Sequence, residues 1–401
     1  MRSATAISHE LDDVKKAADE LAAQIRGKLT PFGKHTAAIL HGQPDMEIGE
    51  LSAAISRELG CHVIGGTTAG GAVLTNDGYH ELAVVLHAMS GDDCLFAAAI
   101  SGPMEGAPKK EIRSTYQKAY GELKGQDPTA EPKLVICIAS LMQSCSSDIV
   151  LSELSDACGS LPIFGYASAD DFDFYKQQVF LDGESAGDRL ALLLVAGNVD
   201  PVFQVANLMG KQTLEKRLVT KAQGNIINEI DGKPAYDYIR DFPFIDDETK
   251  ILYNFQFFVE MKNTADDDGF PVSRALNTYS KDTGAVTCFA DVPQGSCIGL
   301  RFCDGNDVAV TSEAGLRELN SKLEAAGGGR RFSTALIATC SLRNMFLAGS
   351  KDTEGNLIKE LLPPSISASG LYAFGEIAPT SMSGGKAVNR FHNATFTVCA
   401  F

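Results

Sequence analysis

One β-α-β-β-β pattern occurs twice in the first half of this chain, over 35–100 and again over 133–205. That repetition restricts the fold more than any single motif. In the first copy Thr36–His41 reads as a strand, and Ile48, Leu51, Ile55 and Leu59 then recur at helical spacing up to Gly60. Cys61–Gly70 reads as a strand ending in glycines, followed by strands at Glu81–Leu86 and Cys94–Ala99. The second copy runs in the same order. Leu134–Ile138 is a strand, and a helix carrying Val150, Leu154 and Cys158 ends at Gly159. The strands Leu161–Ser168, Leu190–Val195 and Val202–Val205 follow. Gly60 aligns with Gly159 and Gly65 with Gly165. A strand-helix-strand step implies a parallel pair with a right-handed crossover. The later strands return through short turns and are expected antiparallel. The fold class that follows is α/β: mixed sheets covered by helices, with internally duplicated units and two domains.

Leu11, Val14, Ala18, Leu21, Ile25 and Leu29 predict an N-terminal helix within 1–34, capped by Ser8 and closed by Leu29-Thr30-Pro31. Lys109–Leu123 predicts a helix linking the two copies. Further on, Asn225–Ile230 reads as a strand turning at Asp231-Gly232, with Pro234 as the first residue of a helix. Ala285–Phe289, Cys297–Phe302 and Thr334–Thr339 read as strands. A helix near Glu354–Leu362 follows, and Leu371–Phe374 and Ala394–Phe401 close the chain. The order strand, helix, glycine-ended strand, strand weakly echoes the earlier copies. A boundary near Gln204–Glu215 separates 35–205 from 206–401.

Lys and Arg number 35 against 51 Asp and Glu, a net charge of −16. Such a surface repels nucleic-acid phosphates and anionic lipid, which argues against either partner. No apolar run reaches the roughly 18 residues of a membrane span. Met1-Arg2-Ser3 does not open a secretory signal, so a cytoplasmic location is expected. The ten cysteines contain no C-x-x-C pair, so zinc spacing is absent and no metal site is expected. They read as reduced core residues.

Several stretches resemble the FIST family, which pairs an N-terminal with a C-terminal FIST domain. The N-terminal resemblance rests on Gly60–Gly70. The C-terminal one rests on Asn225–Tyr236, Asp291–Ser296, Cys340–Arg343, Gly370–Ile377 and Phe391–Thr395, in that order. The resemblance implies a sensory protein that binds a small ligand, with amino acids as the candidate class, and signals to a partner. Many members carry a fused output module, and the 401 residues here leave no room for one. A stand-alone sensor acting on a separate protein is therefore expected. Some stand-alone members are haem-based nitric-oxide sensors acting beside a histidine kinase, which supplies an alternative.

Candidate site residues follow. In Gly65-Gly66-Thr67-Thr68-Ala69-Gly70, glycines let backbone N–H groups approach a ligand and the hydroxyls add partners; the competing reading is a tight strand-end turn. No Lys completes a P-loop there. Arg343 and Glu376 form a candidate amino-acid grip, with guanidinium on carboxylate and carboxylate on ammonium, unless they pair with each other or the backbone. Asn393 beside them is a third candidate. A haem ligand would come from His41 or His392. Gly183–Gly187 fits G-x-S-x-G but leads into a strand rather than a helix, so it reads as a hairpin turn. Asp266–Gly269 and Asp304–Asp307 lack the closing Glu of a calcium loop and read as solvated acidic loops. An enzyme with Cys340 or Cys145 as nucleophile, and a ligand-free adaptor, are the readings of another class. No catalytic residue is assigned.

Overall fold

The computed structural model describes residues 1–140, 145–212, 215–240, 255–260, 268–326, 331–383 and 386–401. Its organising unit is the repeat, and a third copy stands beside the two legible in sequence. Each repeat runs strand, helix, strand, helix, strand, strand. The first has strands Arg2–Ser8, His35–Gly42, His62–Thr67 and Val84–Gly91 with helices Val14–Leu29 and Ile48–Leu59. The second has strands Cys94–Ile100, Pro132–Ala139, Ile163–Ala167 and Leu190–Gly197 with helices Pro108–Gln126 and Ser147–Ala157. The third has strands Val202–Asn207, Thr334–Cys340, Ser367–Ala373 and Thr395–Ala400 with helices Gly305–Ala326 and Thr353–Leu361.

Pairing is the same in all three. The second and third strands are parallel, and the last strand lies antiparallel between the first and the second. Gly65, Gly165 and Gly370 hold one register, opposite Leu40, Cys137 and Ile337. A Cβ on Gly65 or Gly165 would overlap the facing carbonyl oxygen, and one on Gly370 would fall 2.8 Å from the Cβ of Ile337. The repeated glycine is thus a requirement of close strand approach.

Between its third and last strands each repeat extends a hairpin, and each hairpin joins another repeat's sheet. Val73–Thr75 with Gly78–His80 extends the third sheet beside Ser367–Ala373. Val179–Leu181 with Glu184–Ala186 extends the first beside His62–Thr67. Glu376–Ser383 with Lys386–His392 extends the second beside Ile163–Ala167. The exchange is cyclic, so each of these three sheets has six strands. Of the expected antiparallel returns, Val84–Gly91 and Leu190–Gly197 pair within their own copy, whereas Cys94–Ile100 and Val202–Asn207 open the next repeat and pair there. Alternating polarity specifies that a strand forms and which face is buried, whereas the partner depends on long-range packing.

The inward faces of the sheets share one core in which the equivalent residues Ile39, Ile136 and Leu336 all take part. Leu40, Cys137 and Ile337, one position on, face outward and pack under helices. In the third repeat a barrel is inserted between first strand and first helix. Cys297–Phe302, Arg217–Gln223, Ile226–Ile230, Val286–Cys288, Val272–Tyr279 and Phe255–Glu260 pair in turn, and the last closes on the first. Val219, Ile227, Phe257, Leu276 and Leu300 fill it. The expected boundary at Gln204–Glu215 spans the entry to this insertion.

Four local expectations change. Residues Arg2–Ser8 form an edge strand, so Ser8 ends a strand and Asp13 caps the helix, accepting from the Lys16 N–H at 3.0 Å. Helix Gly305–Ala326, 22 residues long, was not foreseen. Its start hides in the acidic run, where Asp304 Oδ1 accepts the N–H groups of Asn306 (2.9 Å) and Asp307 (3.2 Å). Pro234 sits at the N-cap of Ala235–Ile239 rather than inside it. The linking helix is the first helix of the second repeat. Among the described residues no helix is long and apolar enough to cross a membrane.

Candidate functional site

The glycine-threonine turn lies where the three repeats meet. Thr67 holds both feet of the segment Ala169–Gln178. Its N–H donates to the Gln178 carbonyl (3.1 Å) and its carbonyl accepts from the Ala169 N–H (2.9 Å). Its hydroxyl donates to the Ala169 carbonyl (2.7 Å) and accepts from the Gln178 N–H (3.0 Å). Thr68 Oγ1 donates to the Ala72 carbonyl (2.7 Å) and accepts from the Tyr372 N–H (3.0 Å). Gly65 and Gly66 leave room for Phe180 and the Ser168 hydroxyl, and the Gly70 N–H donates to Asp171 (2.8 Å). Buried backbone groups at the junction need partners, and these residues supply them. The expected ligand cradle at Gly65, Gly66, Thr67, Thr68 and Gly70 is therefore corrected to an internal joint between repeats.

Arg343 requires the same correction. It lies on the short helix Ser341–Phe346 and is fully buried. Its Nε donates to Glu354 at 2.9 Å, and Nη2 donates to Ser312 Oγ (2.6 Å), Thr311 Oγ1 (3.3 Å) and the Val308 carbonyl (3.3 Å). Nη1 reaches the Ala394 carbonyl at 3.4 Å. Glu354 in turn accepts from Ser312 (2.8 Å) and Thr339 (3.1 Å). No edge of the guanidinium remains for a ligand carboxylate. Glu354 and the two hydroxyls come from helices whose rotation the sequence does not specify, so this partner was missed.

Cys340, at the end of its strand, lies in the wall of a small apolar pocket of about 20 Å³. Four phenylalanines line it. Phe172 and Phe174 come from the segment that Thr67 anchors, Phe289 from the barrel and Phe374 from the third repeat. Phe174 stacks on Phe374 with centroids 4.9 Å apart, and Phe172 meets Phe374 at 5.5 Å. Phe172 and Phe174 have φ of 67° and 63°, a left-handed backbone that costs a non-glycine residue about 1–3 kcal/mol. Buried Asp170 holds them there, accepting the N–H groups of Phe174 (3.0 Å), Tyr175 (3.0 Å) and Lys176 (2.9 Å).

Asn393, a predicted site residue, is in the pocket wall and 2% exposed. Its Nδ2 donates to the His392 carbonyl at 3.1 Å, which identifies Oδ1 as the atom left without a partner. Glu376 is fully buried, and its Oε2 accepts from the Thr395 hydroxyl (2.6 Å) and N–H (3.1 Å). Its Oε1 has no hydrogen-bond partner. Burial pushes the Glu376 carboxyl up to about 8, against smaller opposing effects from Thr395, Arg343 and the Cys340 thiol. Glu376 is thus largely a neutral acid at pH 7. The aromatic residues were missed because they lie on three separate segments with no common spacing.

Neither histidine fits a haem. His41 is buried with Nδ1 3.0 Å from the Tyr166 hydroxyl, and His392 Nε2 donates to the Ala378 carbonyl at 3.1 Å. Burial depresses both to about 3, and neither is in the wall of the apolar pocket. The structure places them in different sheets. The cysteine alternative gains no thiolate. Burial raises Cys340 well above its usual range and pushes Cys145 up to about 11. Gly183–Gly187 forms the expected hairpin, with Ser185 bound to Gln178. Asp266 and Asp267 lie outside the described residues, while Asp268 pairs with Arg390 at 2.8 Å. Among the described residues no three His, Cys, Asp or Glu side chains are grouped to hold a metal.

A family model described as FIST N domain matches residues 36–233, and one described as FIST C domain matches 235–379. No curated protein matches the chain. Among solved structures, one titled "Structure of PurLQS from Thermotoga maritima" shares 11% identity over 99% of this chain and 71% of its own. Its TM-score of 0.23 is too low to carry an argument. With nearly its whole length matched by the two models, the chain belongs to the FIST family, whose domains are sensory domains of signalling proteins.

Proposed function

We propose that this protein is a cytoplasmic sensor that takes a small, mostly apolar ligand into the four-phenylalanine pocket and reports its presence to a separate signalling protein. The observation that supports this is the pocket wall itself. An aromatic cavity carries one buried acceptor, Asn393 Oδ1, with nothing to accept from. Ligand sites have that composition, apolar with a few placed polar groups. The amino-acid reading loses its carboxylate grip, because Arg343 is held by Glu354.

The segment over the pocket supplies the response. Phe172 and Phe174 are strained, Asp170 holds the strain, and both feet stand on Thr67 at the junction of repeats. A ligand that displaces either ring shifts the balance between two segment positions by its differential affinity for them. Tyr175, 69% exposed on the same segment, presents that balance to a partner such as a histidine kinase.

The test is native mass spectrometry of freshly purified full-length protein, together with thermal shifts against a metabolite panel. A retained small mass, or a shift abolished by Phe174→Ala, is the expected result. Retention of nothing and no shift by any compound would leave the adaptor reading in its place. A Soret band after haem supplementation would restore the haem reading.

A further inference from the structure

We infer that the inserted barrel gates this pocket: it parts from the third repeat as a body, turning on its two connections, and the seam it opens admits the ligand. This rests on the pocket reading above and adds how that site opens.

Four observations converge. At about 20 Å³ the closed pocket has room for about one water molecule, so a metabolite enters only when a wall moves. The walls belong to different bodies. Ala275 and Phe289 come from the barrel, whereas Cys340, Leu342 and Phe374 come from the third repeat. The barrel core is a cluster of its own, separate from the cores of the sheets, so the barrel moves without unpacking.

The attachment has the form of a hinge. The chain enters the barrel through 208–212 and leaves it through 303–304, and the two connections run side by side. Lys211 and Gln212 pair with Phe302 and Arg301, the Gly210 carbonyl accepts from Arg301 Nη1 at 2.9 Å, and Cys303 Sγ lies 3.9 Å from the Leu208 carbonyl. Both leave the third repeat at one place, which lets a few residues absorb a rotation.

The seam itself is weakly closed. Its apolar contact joins Ala275 to Cys340 and Leu342. Polar contacts hold the rest: Arg390 Nη2 donates to Asp268 (2.8 Å), Arg274 Nη1 to the Phe391 carbonyl (2.9 Å) and Asn207 Nδ2 to the Pro271 carbonyl (2.8 Å). Gln256 is paired with Ala275 and so shares its face of the barrel; it is 1% exposed, and neither end of its amide has a partner. The Ser273 hydroxyl, two residues along that face, and Asn393 Oδ1 on the third repeat also lack partners. Buried polar groups left unmet destabilise the closed state, and water meets them when the seam opens. A ligand that fills the opened pocket then holds the barrel in a position the empty protein visits rarely.

The experiment uses native cysteines of the full chain as reporters. Cys340 is 3% exposed at the seam, Cys288 is 0% exposed inside the barrel, and Cys399 is 0% exposed in the core shared by the sheets. Alkylation by iodoacetamide, followed residue by residue by peptide mass spectrometry, reads the opening that uncovers each. Cys340 should react at least tenfold faster than Cys288 and Cys399. Asp268→Asn, which removes the charge from the ion pair across the seam, should speed Cys340 at least threefold and leave the other two unchanged. Thr380→Val, which removes a donor to Asp268, carries the same expectation if that variant does not fold. A Cys340 rate equal to that of Cys399 overturns the gate, because the seam then opens only with the whole fold. A rate equal to that of Cys288 overturns it too, because the barrel then unfolds rather than moves. If Asp170→Ala speeds Cys340 and Asp268→Asn does not, the segment 169–178 is the way in; the gate falls and the pocket reading survives. If Asp268→Asn speeds Cys340 but no compound of the metabolite panel slows it, the gate stands and the pocket reading falls.

Discussion

Replacing Arg343 by methionine removes the cation from a pair in which both side chains are 0% exposed. Glu354 then keeps the Ser312 and Thr339 hydroxyls, while Thr311 Oγ1 and the Val308 and Ala394 carbonyls each lose one donor. Removing one partner of a buried ion pair costs about 3–5 kcal/mol. The two hydroxyls left on Glu354 soften the loss, which places it near 3 kcal/mol. At about 2 °C per kcal/mol for a unit of this size, the unfolding midpoint falls by roughly 6 °C. Arg343→Met combined with Glu354→Leu removes both charges and recovers most of the stability. Thermal unfolding of the unaltered protein and of the two variants measures this. A drop below about 1 kcal/mol in Arg343→Met, with the response to ligand lost, would refute the reasoning and return Arg343 to the ligand site.

Further outcomes follow from the same structure. Gly165→Ala puts a methyl group into the Cys137 carbonyl, so it should lower the yield of folded protein or cost more than about 2 kcal/mol, whereas Gly125→Ala, with open space around it, should not. Glu376 is raised in the folded state from 4.5 to about 8, so its contribution is fully present below pH 4.5 and is lost as pH rises to 8. At about 1.4 kcal/mol per pKa unit, Glu376→Gln should remove on the order of 4 kcal/mol of stability loss between pH 5 and 8 from the unfolding profile. His62 lies between Asp182 and Glu122, which raise it to about 10. That contribution is present below pH 6.5 and lost through pH 10. Discounted for a side chain one-third exposed, His62→Gln should cost about 1 kcal/mol at pH 6 and less at pH 10. Asp170→Ala frees three N–H groups, and the amides of Phe174, Tyr175 and Lys176 should exchange with deuterium at least tenfold faster; unchanged exchange would show that the segment is held by other contacts.

Much of the fold was legible because its cues are local. Ile48, Leu51 and Ile55 share a helix face, Gly60 and Gly159 end helices in the left-handed region, and Gly65 and Gly165 mark the close approach of parallel strands. The third repeat was blurred by the inserted barrel, which parts its first strand at Asn207 from its helix at Gly305 by nearly a hundred residues. The edge strand Arg2–Ser8 escaped notice because alternate small residues carry little hydrophobic signal, although Ala4, Ala6 and Ser8 are buried against Val84–Gly91.

Site residues divide along the same line. Asn393 was named from sequence and lines the pocket, whereas Glu376 is buried outside that lining and bonded to Thr395. Arg343 and the threonines were named for the right chemistry, but their donors and acceptors are spent inside the protein. Side-chain chemistry can be read from identity, whereas its availability depends on which groups from distant segments arrive beside it.

By itself the amino-acid sequence determined the repeating strand-helix-strand unit, its glycine register, the acidic surface and the family. These depend on neighbours a few residues apart and on counted charge. Only the tertiary structure decided that the hairpins exchange in a cycle, that Thr67 is a joint, that Arg343 belongs to Glu354, and that four phenylalanines from three segments meet over Cys340. Those outcomes rest on contacts between residues up to about three hundred positions apart, as between Thr68 and Tyr372. Burial then changes what each group can do, leaving Glu376 a neutral acid where its identity alone reads as a charge.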